Sequence, residues 1–175
     1  MTSLKVLGVT LTDRLSVTAY VDDVVSSCAR SMYAISVLRS HGMESSALQQ
    51  VCRVVVVSKL TYAAPAWWGF KTSDDRQCLN AILCRAARSD LWTSAAKSAS
   101  DAHTFEDLCN LADEELFTKI RTLSNHTLHA FLPPPSTASV NYSLRQCAHS
   151  LQLPERSKHL SDCNFFVRML YKDSY

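Results

Sequence analysis

The longest apolar stretch of the chain, Val54-Val55-Val56-Val57 followed by Leu60, Tyr62 and Ala63, stops abruptly at Pro65, the pair Trp67-Trp68, Gly69 and Phe70. Apolarity without a period fits either a buried strand or an inner helix. Length separates the two. From Ser45 or Ser46, both good N-cap types, to Ala64 there is neither Gly nor Pro, a span far beyond the roughly five or six residues of an ordinary strand. The stretch is read as a buried helix, since burial overrides valine's weak helix propensity. Upstream, Val21, Val25, Cys28, Met32 and Ile35 recur at alternating steps of four and three. They predict an amphipathic helix capped by Ser16, running to about Ser40 and stopped by Gly42. Downstream, Ser73 with Asp74 and Asp75 opens a third helix, whose stripe of Leu79, Ile82, Leu83 and Ala86 leaves Arg76, Arg85 and Arg88 on other faces.

The flanks are less regular. Leu4-Lys-Val-Leu-Gly-Val-Thr-Leu11 is short, β-branched and partly alternating, which predicts one strand standing alone at the start of a helical chain. A lone strand leaves its backbone groups without partners, so the chain is expected to begin inside something larger, with the pairing strands upstream. Residues 93–103, rich in Ser and Ala, read as a linker. Thr104 then caps Phe105–Leu111, Asp113-Glu-Glu opens a further helix to about Asn125, and His126–Leu132 adds one more turn. Pro133-Pro134-Pro135 ends helix, because proline lacks the donor and disfavours helix before it. Beyond it the tail is loop-rich and closes with a short helix over Asn164–Lys172. The expected fold is mainly α, a helical bundle preceded by one short orphan β-strand. Its segments are 1–15, 16–92, 93–103, 104–132 and 133–175.

Composition narrows this further. At 175 residues the chain suits one domain with an appendage, and its three glycines are too few for a sandwich of tight turns or for a phosphate-cradling loop. Seven scattered cysteines, an odd number at positions a small apolar residue would fill, point to a reducing compartment. The amino terminus lacks the form of a signal peptide and no run reaches eighteen apolar residues, so the expectation is an intracellular protein, cytoplasmic or nuclear, with no membrane partner. The net charge of +2 is unevenly spread, basic residues being in excess before residue 71 and acidic ones between 101 and 135.

Three stretches hold residue types that carry chemistry. Tyr20-Val-Asp22-Asp23 has the look of the metal-holding pair of polymerases, which clamp two cations on the attacking and leaving oxygens. Here the pair falls within a helical pattern rather than between two strands, and the reading is two solvated carboxylates. Cys147-X-His149 and His159-X3-Cys163 contain zinc-ligand types at unfamiliar spacing. They are expected to be packed or solvated singly, so no metal or cofactor is assigned. Trp67 and Trp68, with Phe70, read either as packing for the end of the bundle or as stacking platforms for bases beside Lys59, Lys71, Arg85 and Arg88. No Ser, His and acid stand at recognisable catalytic spacing, and no catalytic residue is assigned.

Taken in order, several stretches resemble a known family. Leu4–Leu11, Val37-Leu-Arg-Ser-His-Gly42, Lys59-Leu-Thr-Tyr-Ala-Ala-Pro-Ala-Trp-Trp-Gly-Phe70 and Arg85-Ala-Ala-Arg88 resemble the end of the palm and the thumb of reverse transcriptases from non-LTR retrotransposons of the LINE-type, jockey-like group. Ala112–Phe117, Asn125–His129, Tyr142–Arg145, Leu153–Arg156 and Asp162–Tyr171 resemble the carboxyl end of the same reading frame. The resemblance implies that 1–15 is an end-of-palm strand remnant, that 16–92 is a thumb-like helical domain, and that Asp22 and Asp23 lie on its first helix, downstream of the palm's metal-binding pair. It implies a non-catalytic fragment of an RNA-directed DNA polymerase, parted from palm and fingers. What remains to it is weak, sequence-independent affinity for a template–primer duplex of RNA or DNA. Lys59, Arg85, Arg88, Trp67 and Trp68 are the candidate contacts. The competing readings are an autonomous helical protein-interaction module and a zinc-stabilised nucleic-acid binder.

Overall fold

Four β-branched residues in a row strain an α-helical turn, because the second branch at Cβ crowds the turn before it. In the computed structural model, which describes residues 3–92, 104–136, 149–155 and 159–172, the chain answers this by changing its winding. Helix α2 (Ser45–Cys52) continues through Arg53–Val57 with the wider i→i+5 pattern of a π-turn, then resumes as α3 (Ser58–Thr61). The Ser58 hydroxyl donates to the Val54 carbonyl, one of the local bonds that perturb a helical ladder. The wide turn carries Val56 and Val57 inward and leaves Val54 69% and Val55 39% exposed. The run expected to be buried throughout is therefore buried on one side only.

The ends of this helix also differ from expectation. Its N-cap is Glu44, in extended conformation and without a side-chain bond, rather than Ser45 or Ser46. It stops at Thr61 instead of Ala64, because Ala63 adopts a left-handed φ of 51°. Trp67 Nε1 donates to the Tyr62 carbonyl at 2.9 Å, meeting an acceptor that the helix end leaves open. Pro65 sits in the first turn of α4 (Ala64–Trp67), where a missing N–H costs nothing, and a 3-10 turn over Trp68–Phe70 follows.

Helix α1 (Thr18–Ser40) ends as its sequence predicts. Gly42 takes φ 86°, Met43 N–H donates to the Leu38 carbonyl and Gly42 N–H to that of Arg39, which is the Schellman arrangement. At its start the cap residue is Val17, one position after the expected Ser16, whose Oγ accepts from the Thr18 N–H. The stripe Val21, Cys28, Met32 and Ile35 is buried together with Tyr20 and Val24, while Val25 is only partly covered. Helix α5 (Ser73–Arg88) buries all four of its expected apolar positions. Its cap is Thr72, in a reciprocal box with Asp75: Asp75 N–H donates to Thr72 Oγ1 at 3.2 Å and Thr72 N–H to Asp75 Oδ2 at 2.9 Å.

Thr18 Oγ1 donates to the same Asp75 oxygen at 3.2 Å, so α1 and α5 begin side by side and run in the same direction. The α2–α3 segment runs opposite to α1, with Cys28 Sγ donating to the Val56 carbonyl and Lys59 Nζ to Ser27 Oγ. Their shared core closes on an aromatic group of Tyr20, Trp67, Trp68 and Phe105, with ring centroids 5.1 to 6.3 Å apart.

The strand expected to stand alone is a hairpin. β1 (Ser3–Val6) pairs antiparallel with β2 (Val9–Thr12), Val6 facing Val9 across a two-residue turn in which Leu7 has φ 47° and Gly8 φ 89°. Positive φ at both positions is what a tight type I′ connection demands, and Gly8 supplies one of them freely. The two strands pair with each other along one edge. Tyr62 Oη donates to the Leu7 carbonyl at 3.0 Å and ties the turn to the helices.

The chain divides into two units, residues 1–110 and 111–175, and the division falls inside α6 (Phe105–Thr122). Its first turns place Phe105 and Cys109 in the first core, while Phe117 belongs to a second with Met169 and Leu170. Thr104 and Asp107 cap it reciprocally. The separate helix expected from Asp113 is instead the continuation of α6, since nothing between Leu111 and Asp113 breaks a helix. Asp113 does not cap. It is buried against the Arg168 guanidinium at 2.7 Å. In the second unit a 3-10 turn spans Thr127–Phe131, Pro135 bridges Leu151, and α7 (His159–Asp162) precedes α8 (Phe165–Tyr171). Asn164 caps α8, within the helix expected over Asn164–Lys172. The linker expected at 93–103 lies outside the described residues.

The fold is thus mainly helical with one short two-stranded sheet at its start. No described helix is long and apolar enough to cross a membrane.

Candidate nucleic-acid interface

Phosphate recognition needs cations that are exposed, held by rigid elements and not already neutralised by acids. Arg85 and Arg88 meet these conditions. Both stand in the last turn of α5, exposed, one helical turn apart, and neither guanidinium has a hydrogen-bond or ion-pair partner among the described residues. Placement there suits a cation, because the unpaired carbonyls at a helix end carry partial negative charge. The buried stripe of Leu79, Ile82, Leu83 and Ala86 fixes the helix that presents them.

Lys59 stands apart from this pair. Its Nζ donates to Ser27 Oγ at 2.8 Å, and the side chain is half-buried beside a groove of about 580 Å³ that Tyr20, Val24, Val54, Val55 and Tyr62 also line. Arg85 instead lines a groove of about 290 Å³ between α1 and α5, with Met32, Tyr33, Ser36 and Arg39 of α1. At about 100° per residue, Ser27 and Tyr33 lie on well-separated faces of α1. The structure does not bring the three candidate cations to one surface.

Trp67 and Trp68 are 1% and 3% exposed, inside the aromatic group that closes the first core. Lys71 Nζ stands 3.7 Å from the centre of the Trp68 ring, a cation over the remaining accessible face. Of the two readings given to this pair, packing is the one their burial supports. Asp22 and Asp23 lie exposed on α1, within its first two turns.

Of the zinc-ligand types, Cys147 and the side chain of His159 fall outside the described residues. Cys163 is buried, and His149 has both ring nitrogens engaged: Nδ1 accepts from Leu151 N–H at 3.2 Å and Nε2 lies 2.8 Å from the Leu170 carbonyl. Because Nδ1 accepts, Nε2 carries the proton and donates, so this ring would have to surrender a backbone bond to ligate a metal. Among the described residues no three His, Cys, Asp or Glu side chains gather as a metal set.

Sequence reasoning missed two residues that shape this region. Tyr33 is 73% exposed on the polar side of α1, and an aromatic residue off the apolar stripe was the available signal. Arg39, in the last turn of α1, lines the same groove as Arg85. Away from it, at the start of α5, the capping residue Asp75 is buried at 3% exposure and also accepts from a hydroxyl 57 residues away, a bond set by the tertiary fold.

The chain matches no family model, no curated protein and no solved structure.

Proposed function

We propose that this chain is a non-catalytic carboxyl-terminal fragment of a non-LTR retrotransposon reverse transcriptase, whose helical bundle retains weak, sequence-independent affinity for a template–primer duplex. Two things support the reading. One is the order of the stretches from Leu4–Leu11 to Asp162–Tyr171 that resemble the family's thumb and carboxyl end. The other is the structural observation that carries the binding claim: Arg85 and Arg88 are exposed on a rigid helix with no acid of the described chain to neutralise them.

Such a surface reads phosphates, not bases, so binding should be indifferent to sequence and steeply salt-dependent as bound counterions are released. Replacing Arg85 and Arg88 together by Ala should weaken duplex binding for every sequence tested. It should also flatten the plot of log affinity against log salt by about two units, roughly one per lost phosphate contact. The same duplex, supplied with nucleotides and Mg²⁺ or Mn²⁺, should not be extended. Extension abolished by Asp22→Ala and Asp23→Ala would overturn the non-catalytic reading.

The second reading, a helical protein-interaction module, is favoured by the apolar side chains left outside by the π-turn and hairpin, Val54 at 69%, Tyr62 at 51% and Leu7 at 84% exposure. No duplex binding at about 20 mM salt, where the Debye length exceeds about 20 Å, would decide for it.

A further inference from the structure

We propose that the groove between α1 and α5 takes a single-stranded stretch of nucleic acid, one unpaired base lying on Tyr33 and the adjoining phosphate held by Arg39 and Arg85. The proposal rests on the nucleic-acid reading above, with which it shares Arg85, and adds to it the state of the strand and the place where it binds.

Three features of the groove carry it. Tyr33 is 73% exposed and makes no ring contact or hydrogen bond through its phenol among the described residues, so packing does not explain an aromatic residue there. Beside it Met32, 6% exposed, belongs to the core and makes an apolar floor. Arg39 and Arg85 line it from two different helices, and neither guanidinium has an ion-pair or hydrogen-bond partner among the described residues. Two cations lining one groove repel each other, and an anion between them turns that repulsion into attraction on both sides. The helix ends on which they stand steady them in the meantime.

An exposed aromatic ring beside paired guanidinium groups is the chemistry of a strand with its bases turned out: rings stack on any base, and arginines follow the backbone. Paired bases hide their faces inside the duplex, so Tyr33 reaches only an unpaired one. The groove's volume of about 290 Å³ stands at the bottom of the range for ligand pockets, which makes one nucleotide the unit it would hold.

The test compares fluorescent oligo(dT) and oligo(U) with a blunt duplex, by anisotropy at low salt, for the wild-type chain and for Tyr33→Ala, Tyr33→Phe and Arg39→Ala. The oligomers should bind more tightly than the blunt duplex. Tyr33→Ala should weaken them by about 5- to 100-fold while leaving the duplex unchanged, and Tyr33→Phe, which keeps the ring, should restore the wild-type affinity. Arg39→Ala should flatten the salt slope for the oligomers by nearly one unit. Thermal melts of the variants should overlay the wild type, because the replaced side chain is on the surface. No oligomer binding, or an equal loss for oligomer and duplex in Tyr33→Ala, overturns the proposal. Oligomer binding without duplex binding overturns the duplex reading alone, and duplex binding without oligomer binding overturns this one alone.

Discussion

Cys28 shows how much a single side chain's position decides its chemistry. It is fully buried where α1 meets the π-turn, and burial pushes its thiol from the ordinary 9.0 up to about 11; Lys59 pulls the other way and Cys52 adds a smaller push upward. Cys52 is raised by burial as well, whereas Cys78 and Cys84 are exposed on α5. Thiolate is the reactive form, so a short treatment with iodoacetamide at about pH 8 should label Cys78 and Cys84 and spare Cys28 and Cys52, as peptide mass spectrometry would read. The same burial makes stability pH-dependent. The folded chain holds the Cys28 proton when the unfolded chain has released it, so this contribution is whole below pH 9 and is lost as the pH climbs toward about 11. Urea midpoints should fall across that window, and the fall should be shallower in Cys28→Ala, though Tyr20, raised by burial too, adds a part of its own above pH 10.

Among the elements, the wide turn over Arg53–Val57 divides four identical side chains into two kinds. Val56 is wholly enclosed, and Val56→Ala should cost about 2 kcal/mol from lost burial and the cavity left behind. Val54 is mostly in solvent, and Val54→Ala should be neutral or stabilising by up to about 0.5 kcal/mol, because alanine is the better helix former. Equal losses in chemical denaturation of the two variants would remove the distinction. The sequence carries the existence of this helix in its length, but not the change of winding, since Val-Val-Val-Val has no period from which an inside and an outside could be read. The stripes of α1 and α5 were legible for the opposite reason, each having polar residues at regular intervals. Leu7-Gly8 does not stand out as a turn in the sequence, since leucine rarely takes positive φ, so one strand is read where there are two. Within the interface, Arg85 and Arg88 were legible as cations off an apolar stripe. Their separation from Lys59 was not, because it depends on which face of α1 each neighbouring helix meets.

For the molecule as a whole, the first unit is closed over a long stretch of chain where α1 meets α5, and the Thr18–Asp75 bond is one of the links made there. The carboxylate that receives Thr18 is also the one that caps α5, so the start of a helix and its docking against α1 share a single oxygen. Time enters the picture here. A contact between residues 57 apart carries a loop-closure cost that local turns do not, and the expectation is that it forms on the native side of the folding barrier. Thr18→Val, which removes the hydroxyl and keeps the shape, should therefore steepen the escape from the folded state while barely touching the return to it. In stopped-flow chevrons the unfolding arm should rise and the refolding arm stay in place. The lifetime of the bundle, more than the speed of its assembly, is then what the Thr18 hydroxyl governs.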